Sequence, residues 1–150
     1  MITAQDIEEA QASWGSAVVA VGEAPSQDQA HARAVQLVNK HYLFEDDTLL
    51  FCPTKASEQQ FRKSLEEAVS YFVGHGLTED SGFALEPWSS VRFDNAGIVC
   101  RGEVGIAMGN YFFSRADGSE LKAEYSFVYV RDSAGQIKIQ LHHSALPYQG

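Results

Sequence analysis

A change of hydrophobic period near residue 83 constrains the fold of this 150-residue chain most strongly. Before it, apolar residues recur at the three- and four-residue spacing of one helical face. After it, runs rich in Val, Ile, Phe and Tyr are separated by segments in which Asp is closely followed by Gly, which is typical of hairpins. These segments are 94–97, 115–118 and 132–135. The pattern predicts helices followed by an antiparallel meander of four strands, an α+β fold.

Three helix starts are predicted in the first half, each a Ser or Thr followed three residues later by an acidic or amide residue. They are Thr3 with Asp6, Ser26 with Gln29, and Ser57 with Gln60. The third helix should carry an apolar face from Phe61 to Phe72 and end at Gly74. The apolar stretch 49–52 is either a strand or a buried connection. We expect one domain over residues 1–150, with the helices packed on one face of a curved sheet.

The charge balance bears on possible partners. The chain has 20 acidic and 11 basic side chains, a formal net charge of −9. Nucleic acids and anionic membranes are bound by basic patches, so we expect neither as a partner. We see no signal-peptide pattern and no apolar run of about 20 residues, and therefore expect a soluble cytoplasmic protein. The two cysteines, Cys52 and Cys100, are interpreted as buried small hydrophobic residues rather than a disulfide framework.

Several local segments, in their order and spacing, resemble one known family. They are residues 53–56, 60–62, 70–74, 86–88, 107–111, 124–125 and 141–148. Over nearly the whole chain they are similar to the iota-class carbonic anhydrases. These are stand-alone proteins related to the association domain of calcium/calmodulin-dependent protein kinase II, within the nuclear-transport-factor-2-like superfamily. The resemblance implies a cone-shaped barrel and the reversible hydration of CO2 to bicarbonate, so that CO2 and bicarbonate are the expected small-molecule partners.

Histidine spacing argues against a zinc hydrase. Such an enzyme needs about three protein ligands around one ion, usually histidines. The five histidines form no His-x-His or His-x-x-x-His pair, and His142 and His143 are neighbours on a predicted strand, where side chains alternate between faces. We therefore expect no metal and no other cofactor, with zinc as the less favoured alternative. The acidic segment 45–47 is interpreted as a solvated turn.

Without a metal, a site must position water and stabilise the developing bicarbonate, and hydroxyl groups suit this because they both donate and accept hydrogen bonds. Thr54, Tyr71 and Ser144 stand at the polar positions of the family, with His142 nearby. The resemblance implies these four as catalytic residues, with His142 or His143 carrying protons to solvent. The predicted substrate-binding residues are Thr54, Tyr71, Phe72, His143 and Ser144. The family's His-His-Ser-Ser sequence ends here in Ala145, so any function of the second serine is absent.

Strand alternation leaves the register of the last strand open. Simple alternation places His143 inward and Ser144 outward. A β-bulge near His142 would reverse this, or a partner subunit could cover the outer face. Each residue also has an ordinary interpretation, Thr54 as a turn residue and Tyr71 as a tyrosine at the edge of the core.

Two other functions stay open. One is a non-catalytic association module; the other is an enzyme like ketosteroid isomerase, which needs a carboxylate base facing the cavity, with Glu103 and Glu124 as candidates. A homodimer through the outer sheet face is also expected. Both faces of a predicted strand over residues 99–113 carry large apolar groups, and a sheet buried on both sides needs a second cover.

Overall fold

A computed structural model describes residues 1–150 as helices packed on a five-stranded sheet. The elements are α1 (Ala4–Gly22), α2 (Gln27–His41), β1 (Leu50–Cys52), α3 (Leu65–Val73), a 3-10 turn (Phe83–Leu85), β2 (Ser90–Arg101), β3 (Val104–Ser114), β4 (Glu120–Arg131) and β5 (Ile137–Ala145). The strand order is β1-β5-β4-β3-β2, and only β1 runs parallel to its neighbour. None of the helices combines the length and the apolar character that a membrane span requires.

The core lies between the helices and the inner sheet face. Along β3 the inward positions, such as Ala107, Tyr111 and Phe113, are buried, whereas Ile106 and Met108 point outward and are exposed. This alternation is the expected pattern for an antiparallel sheet covered on one face. The α+β prediction, with three helices on a curved sheet, is confirmed, and the stretch 49–52 supplies the additional strand β1.

The third helix begins seven residues later than predicted. Its N-cap is Ser64, with Glu67 completing the capping box, so the prediction of Ser57 is wrong. The backbone N–H groups of residues 57–59 instead donate to the carboxylate of Glu79, which holds this segment as a loop. Phe61 consequently lies outside the core and is 60 % exposed.

The first predicted hairpin turn is also wrong. Residues 94–97 lie inside β2, where a bulge between Asn95 and Gly97 absorbs the irregular sequence. The Asn95 side chain makes two hydrogen bonds with Gln11 of α1, which stabilise it inside the strand. The chain turns at Gly102 instead, so the predicted strand 99–113 is divided between β2 and β3. The other two turns are confirmed, with Gly118 and Gly135 at positive φ.

The cysteines are less buried than expected. Cys52 and Cys100 are both free thiols, as expected, but both are partly exposed, so the prediction of buried residues is wrong. Cys52 ends β1 at the edge of the sheet, and the exposed strand edge leaves one side of its residue open.

Candidate active site

A β-bulge in β5 decides which side chains of that strand enter the core. Tyr129 of β4 pairs with Ile139, but the preceding Val128 pairs with Leu141, so Gln140 is an extra residue. An extra residue reverses the alternation that follows it. His142 and Ser144 therefore point inward, with 2 % and 3 % of their surfaces exposed. His143 is exposed on the outer face, so the placement by simple alternation is wrong and the bulge is the alternative that holds.

The predicted hydroxyl groups meet where β1 runs beside β5. Thr54 follows β1, and the parallel pairing of Cys52 with His143 brings it next to Ser144, so that Thr54 Oγ1 lies 2.5 Å from Ser144 Oγ. The backbone N–H of Lys55 donates to Tyr71 Oη over 3.3 Å. Tyr111 of β3 adds a further hydroxyl, which donates to Ser144 Oγ at 2.5 Å.

His142 lies between two aromatic rings behind these hydroxyls. Its ring stacks on Phe51 and Phe127, with centroid distances of 5.0 and 4.1 Å. Its Nδ1 is 2.9 Å from Tyr42 Oη and its Nε2 is 3.1 Å from Tyr111 Oη. Burial lowers the pKa of His142 to about 3, so the imidazole is neutral at neutral pH. A group that stays neutral and is sealed from solvent is poorly suited to the expected role of carrying protons.

Thr54, Tyr71, Tyr111 and His142 line a small cavity whose other walls are mainly aromatic, whereas Ser144 does not line it. Its volume is about 10 Å³, which is room for about one water molecule. Phe72, a predicted substrate-binding residue, forms part of the wall, and Thr54 and Phe83 are the partly exposed lining residues. His143 does not line this cavity, so its position does not support the prediction that it contacts substrate.

The tyrosine hydroxyls at the site remain protonated. Burial raises the pKa of Tyr71 well above its ordinary value, although the hydrogen bond from the Lys55 N–H lowers it in part. Burial likewise raises the pKa of Tyr111. At neutral pH both groups are hydrogen-bond donors and not phenolate bases.

A buried ion pair holds the loop of Thr54 against the helix of Tyr71. Arg62 is fully buried, and its two terminal nitrogens donate to the Asp80 carboxylate at 2.7 and 2.8 Å. Its Nη1 also donates to the Glu67 carbonyl, in the first turn of α3. Glu79 accepts N–H groups of the same loop, and these hydrogen bonds lower its pKa to about 2. The loop is therefore fixed at both ends by charged hydrogen bonds, which position Thr54.

The carboxylates expected for an isomerase lie elsewhere. Glu103 is in the β2–β3 turn, where it pairs with the N-terminal amine and Arg131, and Glu124 is exposed on the outer face. Neither faces the cavity, so the proposal of either as an inward base is wrong. No group of three or more His, Cys, Asp or Glu side chains is placed to hold a metal ion.

Two site tyrosines and a tryptophan were missed by sequence reasoning. Tyr111 shares the inward face of β3 with Phe113. A hydroxyl on an otherwise apolar strand face was the one feature of the sequence that could have indicated a polar role for Tyr111. Tyr42 directly follows α2 and Trp14 lies on the buried face of α1. Both fit an ordinary core, and their positions gave no separate sign of a polar role.

Distant structural neighbours establish the fold. The chain superposes on a putative calcium/calmodulin-dependent protein kinase II association domain from Xanthomonas campestris with a TM-score of 0.63 and 19 % identity, covering 100 % of this chain and 91 % of that one. A nuclear transport factor 2-like protein from Salmonella enterica matches with a TM-score of 0.50 and 13 % identity, covering 81 % and 83 %. These two matches confirm the nuclear-transport-factor-2-like fold, and at such low identity they show the fold alone.

Nearer relatives establish the family. The family model described as metal-independent carbonic anhydrase matches residues 5–146. A metal-independent carbonic anhydrase of Nostoc sp. (strain PCC 7120) is 34 % identical, covering 99 % of this chain and 75 % of that protein. The crystal structure of a cyanobacterial iota-carbonic anhydrase complexed with bicarbonate superposes with a TM-score of 0.94 and 33 % identity, covering 99 % and 94 %. The expected resemblance is confirmed, and the chain belongs to the metal-independent carbonic anhydrase family.

Proposed function

We propose that this carbonic anhydrase hydrates CO2 in the cavity beside Thr54, that Thr54 and Tyr71 hold the reacting groups, and that Ser144 orients the Thr54 hydroxyl. One observation carries the proposal: Thr54, Tyr71 and Tyr111, from three separate elements, bring hydroxyl groups to a single small cavity whose other walls are mainly aromatic. Ser144 lies outside that lining and hydrogen-bonds to Thr54 and Tyr111. An apolar wall suits CO2, which has no dipole, and the hydroxyls suit water and bicarbonate.

The reaction needs only positioning and hydrogen-bond donors from these residues. CO2 rests against Phe72, and a water molecule held by Thr54 and Tyr71 attacks its carbon. As the new C–O bond forms, negative charge develops on the CO2 oxygens, and the hydroxyl groups stabilise it by donating hydrogen bonds. The attacking water releases one proton, which passes to solvent on the partly exposed side of Thr54. Because buried tyrosines and neutral His142 are poor bases, we expect slower turnover than with a zinc hydroxide.

The size of the cavity supports a small substrate. At about 10 Å³ the cavity has room for about one water molecule, so it must widen to admit CO2, and the larger substrate of an isomerase of this superfamily would need much more space. The similar cyanobacterial iota-carbonic anhydrase is described in complex with bicarbonate. That description supports bicarbonate as the product held by this chain.

We further propose that the protein is a homodimer formed through the outer face of β2 and β3. Four aliphatic side chains on this face are exposed: Val99, Val104, Ile106 and Met108. They lie on paired strands, with Val99 opposite Ile106, and so form one contiguous patch. An exposed apolar patch is typical of an interface, and two copies of one patch can pair about a twofold axis.

Substitutions at Thr54 test the proposed site. Thr54→Val removes the hydroxyl at nearly constant volume, and Thr54→Ser is the matched control that keeps it. Stopped-flow CO2 hydration should fall at least tenfold in Thr54→Val and in Tyr71→Phe, because a positioned donor in a preorganised site typically contributes about 2.7–4 kcal/mol. Thr54→Ser should retain most of the rate. Wild-type rates in both Thr54→Val and Tyr71→Phe would place the reaction elsewhere.

A further inference from the structure

We propose that Trp14 and Tyr42 are positioning residues that set the direction of a buried hydrogen-bond relay, so that Thr54 presents its hydroxyl proton to the cavity. The relay runs in the order Trp14, Tyr42, His142, Tyr111, Ser144 and Thr54. The catalytic part of this inference rests on the proposed function, because the direction affects turnover only if CO2 reacts at Thr54.

The direction begins at Trp14, because an indole N–H can donate but cannot accept. Trp14 Nε1 donates to Tyr42 Oη over 3.0 Å, and His142 Nδ1 lies 2.9 Å from the same oxygen. These are the two polar partners of the fully buried Tyr42 hydroxyl. The Tyr42 proton therefore has one acceptor, His142 Nδ1, and that nitrogen carries no proton of its own.

The remaining directions follow along the relay. A neutral imidazole with a bare Nδ1 carries its proton on Nε2, so His142 donates to Tyr111 Oη, 3.1 Å away. Tyr111 then directs its proton to Ser144 Oγ, and Ser144 directs its own to Thr54 Oγ1, each across 2.5 Å. Thr54 receives this hydrogen bond, and its own proton is free to point into the cavity that it lines.

The direction matters because the CO2 oxygens gain negative charge during hydration and need donors. In the reverse direction Thr54 would donate its hydrogen bond to Ser144. It would then present only lone pairs to the CO2 oxygens. The reverse direction would also leave the Tyr42 proton buried without an acceptor, which is unfavourable. The low pKa of His142 agrees with the relay, because protonation of Nδ1 would break it.

The tautomer of His142 tests the direction without any substitution. NMR of the full-length protein labelled with ¹⁵N-histidine distinguishes a neutral ring with its proton on Nε2 from one with its proton on Nδ1. We expect the Nε2–H tautomer of His142 throughout pH 6 to 8. A proton on Nδ1, or a charged ring, in this range would overturn the inference.

Variants of the first two residues test the positioning role. Tyr42→Phe removes the donor to Nδ1 while keeping the ring, so His142 should lose its single tautomer and kcat should fall at least tenfold with little change in KM. Tyr129→Phe is the matched control, since Tyr129 is equally buried and makes no hydrogen bond within the relay; it should change neither quantity. If circular dichroism shows Tyr42→Phe to be unfolded, Trp14→Phe gives the same comparison. A wild-type kcat in a folded Tyr42→Phe or Trp14→Phe protein would overturn the positioning role.

The two measurements separate this inference from the proposed function. A wild-type protein with measurable hydration and an Nδ1–H tautomer of His142 would overturn the relay alone. A wild-type hydration rate in Thr54→Val would overturn the proposed site and the catalytic role of the relay, while the His142 tautomer of the wild-type protein would still report the direction of the relay.

Discussion

Thr54 Oγ1 lies 2.5 Å from Ser144 Oγ, although 90 residues separate them along the chain. The parallel pairing of β1 with β5 brings the two together, and the bulge at Gln140 turns Ser144 inward to meet Thr54. The hydroxyl pair therefore depends on one short edge strand and one extra residue, and it links the cavity to the buried tyrosines.

Ser144→Ala should impair both catalysis and stability. It leaves the Tyr111 hydroxyl without its acceptor in a buried site, which typically costs about 1–3 kcal/mol, and it removes the hydrogen bond that orients Thr54. We expect at least a tenfold loss in stopped-flow CO2 hydration and a lower free energy of urea unfolding. Ser126→Ala, on the solvent-facing side of β4, is the control and should change neither by much. Unchanged hydration in Ser144→Ala would remove Ser144 from the site.

Ala145→Ser should leave the hydration rate unchanged. The bulge that turns Ser144 inward turns Ala145 outward, where it lines a surface groove with His143 and Glu124. A serine hydroxyl at this position faces away from the cavity. A clear gain of activity in Ala145→Ser would show that the outer face takes part in the reaction.

A larger part of the fold than of the candidate site could be predicted from the sequence. Local patterns, such as the caps at Thr3 and Ser26, depend on a few neighbouring residues and are confirmed. The start of α3 could not be predicted, because Ser57 is held by Glu79, twenty-two residues away. The inward position of His142 depends on the bulge at Gln140, for which alternation in β5 gives no signal. Long-range hydrogen bonds and register thus account for the errors.

The anchoring of the active-site loop by Glu79 should weaken in acid, below about pH 4.5. The folded-state pKa of Glu79, about 2, lies below its ordinary value of 4.5, so its stabilising effect is complete above pH 4.5 and is lost as the pH falls toward 2. Glu79→Gln should therefore lower the melting temperature at pH 7 and flatten its dependence on pH between 5 and 2. Glu58→Gln, an exposed change of equal charge in the same loop, is the control. Equal pH dependence in both variants would contradict the anchoring role.

The proposed dimer should dissociate when a charge enters the outer patch. Light scattering should give twice the 16.5 kDa chain mass for the wild type and a smaller mass for Met108→Asp, because an unpaired buried carboxylate is strongly unfavourable. Leu50→Asp is the matched control, since Leu50 is also exposed but lies on β1, at the far edge of the sheet. A wild-type mass near that of a single chain would contradict the dimer.

The most direct test of the central claim is stopped-flow CO2 hydration by protein stripped of metal with a chelator and checked for residual metal by mass spectrometry. The hydroxyl site holds no cluster of metal-ligating side chains, so the stripped protein should retain its full rate, and added zinc should not increase it. Loss of hydration on chelation, with recovery only on addition of zinc, would contradict the account.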